Sequence, residues 1–167
     1  ELNKKGVYFV EGLAALLLKR MLTPFATGFV DLQSPAGVGI AGVIYDYDGG
    51  VYVSDEARMM ARFKNYYFRL GNVNTNTYQE MFNGEHLHKI IASACTECLP
   101  GCSHCVYQPY CGADPVRNYS EQGTMEGFRP TNEMCIKTKA IIRYLFELIK
   151  RNDPEINRIF WSWIKVY

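Results

Sequence analysis

Apolar residues recur at helical spacing over residues 13 to 22, ending on Met21 and Leu22, and Pro24 cannot continue a helix, so a first helix is expected there. After a glycine-rich stretch the pattern turns to alternation: Val43, Tyr45 and Tyr47, then Asp48-Gly49, then Val51-Tyr52-Val53. This predicts two short strands joined by a tight turn, because Asp-Gly accommodates the positive φ such turns need. Residues 66 to 73 predict one more short extended segment. Thr77 and Glu80, at capping-box spacing, then open a second helix that carries Met81, Phe82, Leu87, Ile90 and Ile91 towards Cys95.

From Cys95 to Arg129 no period persists; glycine, proline and polar residues are scattered among cysteines. So long a loop is uncommon in a compact domain unless something other than a core organises it, and a metal would do so. Pro130 and Thr131 introduce a long helix with Ile141, Tyr144, Leu145 and Leu148 on one face and Cys135 near its first turns. Asp153-Pro154 opens a last amphipathic segment in which Ile156, Ile159, Phe160, Trp163 and Ile164 share a face that should dock on an apolar surface. There is no internal repeat and no low-complexity tract. The expected fold is α+β, a small β-hairpin plus three or four helices around a cysteine-rich metal-binding loop.

Composition narrows the function classes. At 167 residues, 48% hydrophobic and 21% charged, the chain has the makeup of one soluble globular domain. With 18 basic residues against 17 acidic ones and a net charge of +1, it has neither the footprint of a nucleic-acid binder nor a polybasic membrane patch. The longest apolar stretch, Leu13 to Leu18, is far too short to span a bilayer. Neither nucleic acid nor membrane is expected as a partner. The chain opens Glu-Leu-Asn-Lys-Lys, with no initiator Met and no basic-then-apolar leader, so a piece of a longer protein is expected.

All six cysteines fall between Cys95 and Cys135, spaced Cys95-x2-Cys98-x3-Cys102-x2-Cys105-x5-Cys111 with Cys135 well downstream. A disulfide framework usually spreads its bridges over the chain, whereas two residues between thiolates let both point at one metal centre from a tight loop. Four thiolates suit a cubane iron-sulfur cluster or a zinc ion, and a helix start at Cys135 favours its thiolate through the helix dipole. An iron-sulfur cluster is the first reading, with zinc, and disulfides or free thiols, as the alternatives. Cys98-x3-Cys102-x2-Cys105 also has the spacing of the catalytic triad of radical S-adenosylmethionine enzymes. That triad opens a (β/α) barrel, and too little chain follows Cys105 to build one.

Taken together, Cys102-x2-Cys105-x5-Cys111, Cys135, the hairpin from Ala41 to Tyr52 and Leu70-Gly71-Asn72-Val73 resemble the SPASM region. That is the C-terminal auxiliary-cluster domain of radical S-adenosylmethionine enzymes that modify peptides, and the resemblance covers roughly residues 36 to 150. More narrowly, Leu22-Thr23-Pro24, Asp31-Leu32-Gln33-Ser34-Pro35 and Tyr110-Cys111-Gly112-Ala113-Asp114-Pro115-Val116 are similar to the B-type maturases of the His-Xaa-Ser peptide system. The resemblance implies that Cys102, Cys105, Cys111 and Cys135 ligate an auxiliary [4Fe-4S] cluster. The ligands that such domains supply to a further auxiliary cluster are absent, for Val53-Ser54-Asp55 and Pro115 stand at those places. One cluster is therefore expected, with Cys95 and Cys98 as spare thiols, alternative ligands or a partial second site.

On this reading residues 1–35 are a helical linker from a missing radical S-adenosylmethionine barrel, 36–150 the iron-sulfur domain and 151–167 a C-terminal tail helix. The implied partners are that barrel and a ribosomally made peptide, and the implied location is the bacterial cytoplasm. S-adenosylmethionine would bind only in the missing part, so the fragment is not expected to catalyse a reaction alone. The competing reading is a structural or protein-interaction module that holds zinc on the same thiolates, with zinc as a possible artefact in an aerobically purified fragment.

The remaining motifs have plain explanations. Gly37-x-Gly39-x-x-Gly42 runs into a hairpin, not a helix, which argues against a dinucleotide site. His86 and His88 point to different faces of a helix and read as surface residues, while His104 is either a ligand or a polar loop residue. Asp46 and Asp48 suit turn chemistry better than a calcium site or an acid-base pair with Asp55 and Glu56. Lys137, Lys139, Arg143, Lys150 and Arg151 read as a solvated face, and Trp161 and Trp163 as core packing. Asn118-Tyr119-Ser120 is a glycosylation acceptor in form only.

Overall fold

The computed structural model describes residues 1 to 164. Its helices are α1 (Gly12–Leu22), α2 (Asp55–Arg62), α3 (Tyr78–Phe82), α4 (Glu85–Ser93), α5 (Pro115–Gln122), α6 (Glu133–Arg151) and α7 (Pro154–Trp163). The strands are β1 (Ile44–Tyr45), β2 (Gly50–Tyr52) and β3 (Arg69–Asn72). The fold is α+β, as expected. The chain packs as two compact units, one made of residues 1–29 and 133–167 and the other of residues 30–132. No helix among the described residues is long and apolar enough to cross a membrane.

The second unit is built on an antiparallel sheet in the order β1-β2-β3. Ile44 faces Tyr52 and Tyr45 faces Val51; on the other side Val51 faces Gly71 and Tyr52 faces Arg69, with an irregularity between Val51 and Tyr52. The expected turn forms, with Gly49 at φ 81° donating to the Asp46 carbonyl and the Asp48 carboxylate accepting from the Gly50 amide at 2.8 Å. Asp46 accepts from its neighbour's amide and pairs with Arg62 at 3.0 Å, so both aspartates serve the turn. The extended segment near residue 70 becomes the third strand. Val51 is buried, and Tyr52 and Val53 are buried in one cluster with Phe68, Leu87, Ile90 and Val116.

Local chemistry explains the helices that periodicity did not announce. Ser54 caps α2 by accepting from the Ala57 amide, and Asp55 and Glu56 fill its first turn, where the helix dipole favours acids. Asp114 caps α5 by accepting from Val116 and Arg117, Pro115 takes its first position, and Gly123 ends it at φ 77°. The stretch from Cys95 to Arg129 is therefore not wholly irregular. The capping box at Thr77 forms as expected, but the helix it opens ends at Phe82, and α4 starts afresh after Gly84.

In the first unit α1, α6 and α7 pack together, burying Leu17 and Leu18, Ile142 and Leu145, and Phe160 and Ile164. The buried stripe of α6 is Thr138, Ile142 and Leu145 rather than Ile141, Tyr144 and Leu148, and Tyr144 is 57% exposed. The two stripes share Leu145 and differ by about a quarter of a turn at 3.6 residues per turn. The tail helix finds the apolar surface it requires in α1 and α6, although Trp161 remains exposed. The basic side chains of α6 are exposed, with Arg143 paired to Glu147 at 3.2 Å.

The segment after α5 is held by a buried amide. Asn118, 3% exposed, donates to the Met125 carbonyl at 2.9 Å and accepts from the Asn132 amide at 3.0 Å. Asn118→Ala removes these partners in a place water does not reach and is expected to cost about 1–3 kcal/mol in urea denaturation. An unchanged midpoint and slope would show that the segment does not depend on them.

Candidate metal centre

The cysteine-bearing loop leaves the end of α4 and folds back on itself in successive turns. The amides of Cys98, Cys102, Cys105 and Cys111 donate to the carbonyls of Cys95, Leu99, Cys102 and Gln108 at 3.0, 3.1, 2.9 and 3.1 Å. Each Cys-x2-Cys pair therefore closes one hydrogen-bonded turn. Of the side chains between Cys95 and Cys111 only Thr96 and Leu99 are buried, whereas Val106 is 78% exposed, so the loop has almost no core of its own.

Both ends of this loop are fastened to the segment Asp31 to Ser34. At the first end the Ser34 hydroxyl accepts from the Thr96 amide at 2.8 Å and donates to the Glu97 carboxylate. Glu97 also accepts from Gln108 at 2.8 Å and from the Cys95 thiol at 3.2 Å. These donors, led by Ser34, hold its carboxyl down at about 2. The same contact with Glu97, followed by burial, pushes the Cys95 thiol up. At the other end Gly112 lies against the backbone of Asp31 and Gln33: a Cβ there would stand 2.8 Å from the Asp31 carbonyl carbon and 3.0 Å from the Gln33 oxygen. The aliphatic stem of Arg129 packs over Gly101, its guanidinium donates to the Glu126 carbonyl, and its Nε is buried without a hydrogen-bond partner among the described residues.

Burial and the carboxylates of Asp31 and Glu56 push the Asp114 carboxyl up, despite its two cap hydrogen bonds. Burial followed by Glu56 does the same to Asp31. Asp31, Asp55 and Glu56 also border a cavity of about 290 Å³ floored by Val38, Val43, Ile44 and Val53. Asp55 is paired with Arg58 at 2.8 Å.

Cys98 is exposed and the other five cysteines are half-buried. Cys95, Cys98, Cys102, Cys105 and Cys111 lie on this loop, and Cys135 lies in the first turn of α6, in the other unit. Among the described residues no three side chains of His, Cys, Asp or Glu converge as a ready metal site. The donor chemistry suits a thiophilic metal, but the arrangement is not that of a preformed centre. His86 is half-buried, its Nε2 lying 2.6 Å from the Tyr67 carbonyl, while His88 is exposed, and the two stand apart as expected. Gly39, at φ 68°, turns the chain against Leu87 and Val53 on the way to the hairpin, and no helix follows the Gly37 to Gly42 run. The signals that sequence reasoning passed over are Ser34, Glu97 and Gln108, which carry no motif and meet only through the fold.

Two substitutions test this framework. Gly112→Ala drives a methyl group into backbone that cannot step aside and is expected to destabilise the protein by about 1–3 kcal/mol in denaturant unfolding; an unchanged midpoint would contradict the close approach. Asp114→Asn keeps an acceptor for the α5 cap and removes the half-buried charge. Because the folded protein binds the Asp114 proton more tightly than the unfolded chain, its favourable contribution is complete below about pH 3.8 and is lost as pH rises through the raised value. The variant should therefore gain stability relative to the parent across that rise and run parallel above it, as thermal melts against pH would show; parallel curves throughout would contradict the shift. No known family model matches the chain, and neither a curated protein nor a solved structure matches it.

Proposed function

We propose that this chain is a metal-thiolate domain, the auxiliary [4Fe-4S]-binding part of a radical S-adenosylmethionine enzyme that modifies a ribosomally made peptide. The observation that carries the reading is the loop itself: five cysteines on consecutive turns with almost no apolar anchorage between two fastened ends. Metal-thiolate bonds would supply the order that the loop's own side chains do not. Cys102, Cys105 and Cys111, with Cys135 as the fourth thiolate that the SPASM resemblance implies, are the proposed ligands. Bound there, a cluster would relay electrons, contact the peptide or brace the parent barrel. The chain's own residues hold the loop ends and bury Leu99 within it. The same reading places the parent protein in the bacterial cytoplasm.

A second reading rests on the same thiols: zinc bound by four cysteines in a structural or interaction module, which needs no redox chemistry. Metal analysis with visible absorption on anaerobically purified protein separates the two. About four irons and four sulfides per chain with a brown chromophore is the expected result. About one zinc and no colour, persisting after reconstitution with iron and sulfide, would replace the first reading with the second. Cys111→Ser is expected to lower the metal content and the melting temperature together; a variant with both unchanged would remove Cys111 from the ligand set.

A further inference from the structure

Cys95 and Cys98 stand outside the proposed ligand set, and their surroundings differ from those of the other thiols. The amide of Cys98 donates to the Cys95 carbonyl at 3.0 Å, closing a four-residue turn. Such a turn brings its end Cα atoms within about 7 Å, which reaches the separation a disulfide requires. Cys98 is the one cysteine in the exposed class, while Cys95 is half-buried. The Cys95 Sγ is held 3.2 Å from the Glu97 carboxylate, which is itself fixed by Ser34, Thr96 and Gln108. An accessible sulfur backed by an immobilised second sulfur is the arrangement dithiol exchange uses.

We propose that Cys95 and Cys98 form a thiol-disulfide exchange site that reacts with small disulfides, separate from the metal-binding thiolates. Cys98 gives its proton to water and attacks one sulfur of the small disulfide as the thiolate; the disulfide bond breaks, a mixed disulfide forms, and the leaving thiolate takes up a proton. Cys95 then gives its proton to water and attacks the Cys98 sulfur, and the second small thiolate leaves and is protonated. The two protein thiols are oxidised to one disulfide, and the small disulfide is reduced to two thiols. Cys102 and Cys105 close a similar turn at 2.9 Å, but both are half-buried and belong to the proposed ligand set.

The test uses the full chain, anaerobically purified, in buffers of increasing oxidised over reduced glutathione, with acid quenching, alkylation and peptide mass spectrometry. The expected result is joint loss of the Cys95 and Cys98 thiols to an internal bridge, without a lasting glutathione adduct. Cys95→Ser is expected to trap glutathione on Cys98 and to retain the parent's metal content. A bridge at Cys102–Cys105 instead, independent adducts on Cys95 and Cys98, or no reaction in fully oxidised buffer would overturn the proposal. Loss of iron from Cys95→Ser would also overturn it, by making Cys95 a ligand, while leaving the cluster reading intact. Bridge formation in a chain that never takes up iron would do the reverse, sustaining the exchange site and removing the cluster.

Discussion

The cysteine loop depends on one constraint, the fastening of both its ends to the short segment Asp31 to Ser34. Ser34 ties down Thr96 and Glu97, and the carbonyls of Asp31 and Gln33 press on Gly112. Between these points the chain makes successive turns whose hydrogen bonds are local, so the loop's course is set by its ends more than by its contents. Backbone packed this tightly against backbone leaves no room for a side chain, which is why position 112 must be glycine. The neighbouring groups follow from the same closeness: Asp114, three residues after Cys111, is half-buried near Asp31 and Glu56 and holds its proton more tightly than a free carboxyl.

This arrangement separates two kinds of order. The sheet and α4 have a conventional apolar core in Tyr52, Val53, Phe68, Leu87 and Ile90, and hydrophobic burial stabilises them. The loop has hydrogen-bonded turns, Leu99, Thr96 and thiols. A metal held by those thiols would couple binding to ordering, so the loop can be marginal alone and rigid when loaded.

The sequence announced features that depend on residues near one another in the chain. The hairpin was legible because Asp48-Gly49 sits between alternating apolar residues, and the Thr77 and Glu80 box marked its helix start. Helices α2 and α5 were missed although Ser54 and Asp114-Pro115 are good starts, because a short helix with few apolar residues leaves a weak period and its caps are the only signal. In α6 the class was right and the buried face was not: Thr138 is buried with Ile142 and Leu145, and a threonine does not stand out in a hydrophobic pattern. The clustered thiols were legible as candidate ligands. Ser34, Glu97, Gln108 and the Gly112 contact were not, since each acts on a residue that only the fold brings near.

The most direct test of the central claim, that these thiols hold a metal, is X-ray absorption at the iron and zinc edges of anaerobically purified, reconstituted protein. The account predicts an iron signal with a sulfur shell at about 2.3 Å and a nearby iron-iron distance, as in a cubane cluster. A metal coordinated by oxygen and nitrogen alone, or no metal retained after reconstitution and desalting, would contradict it.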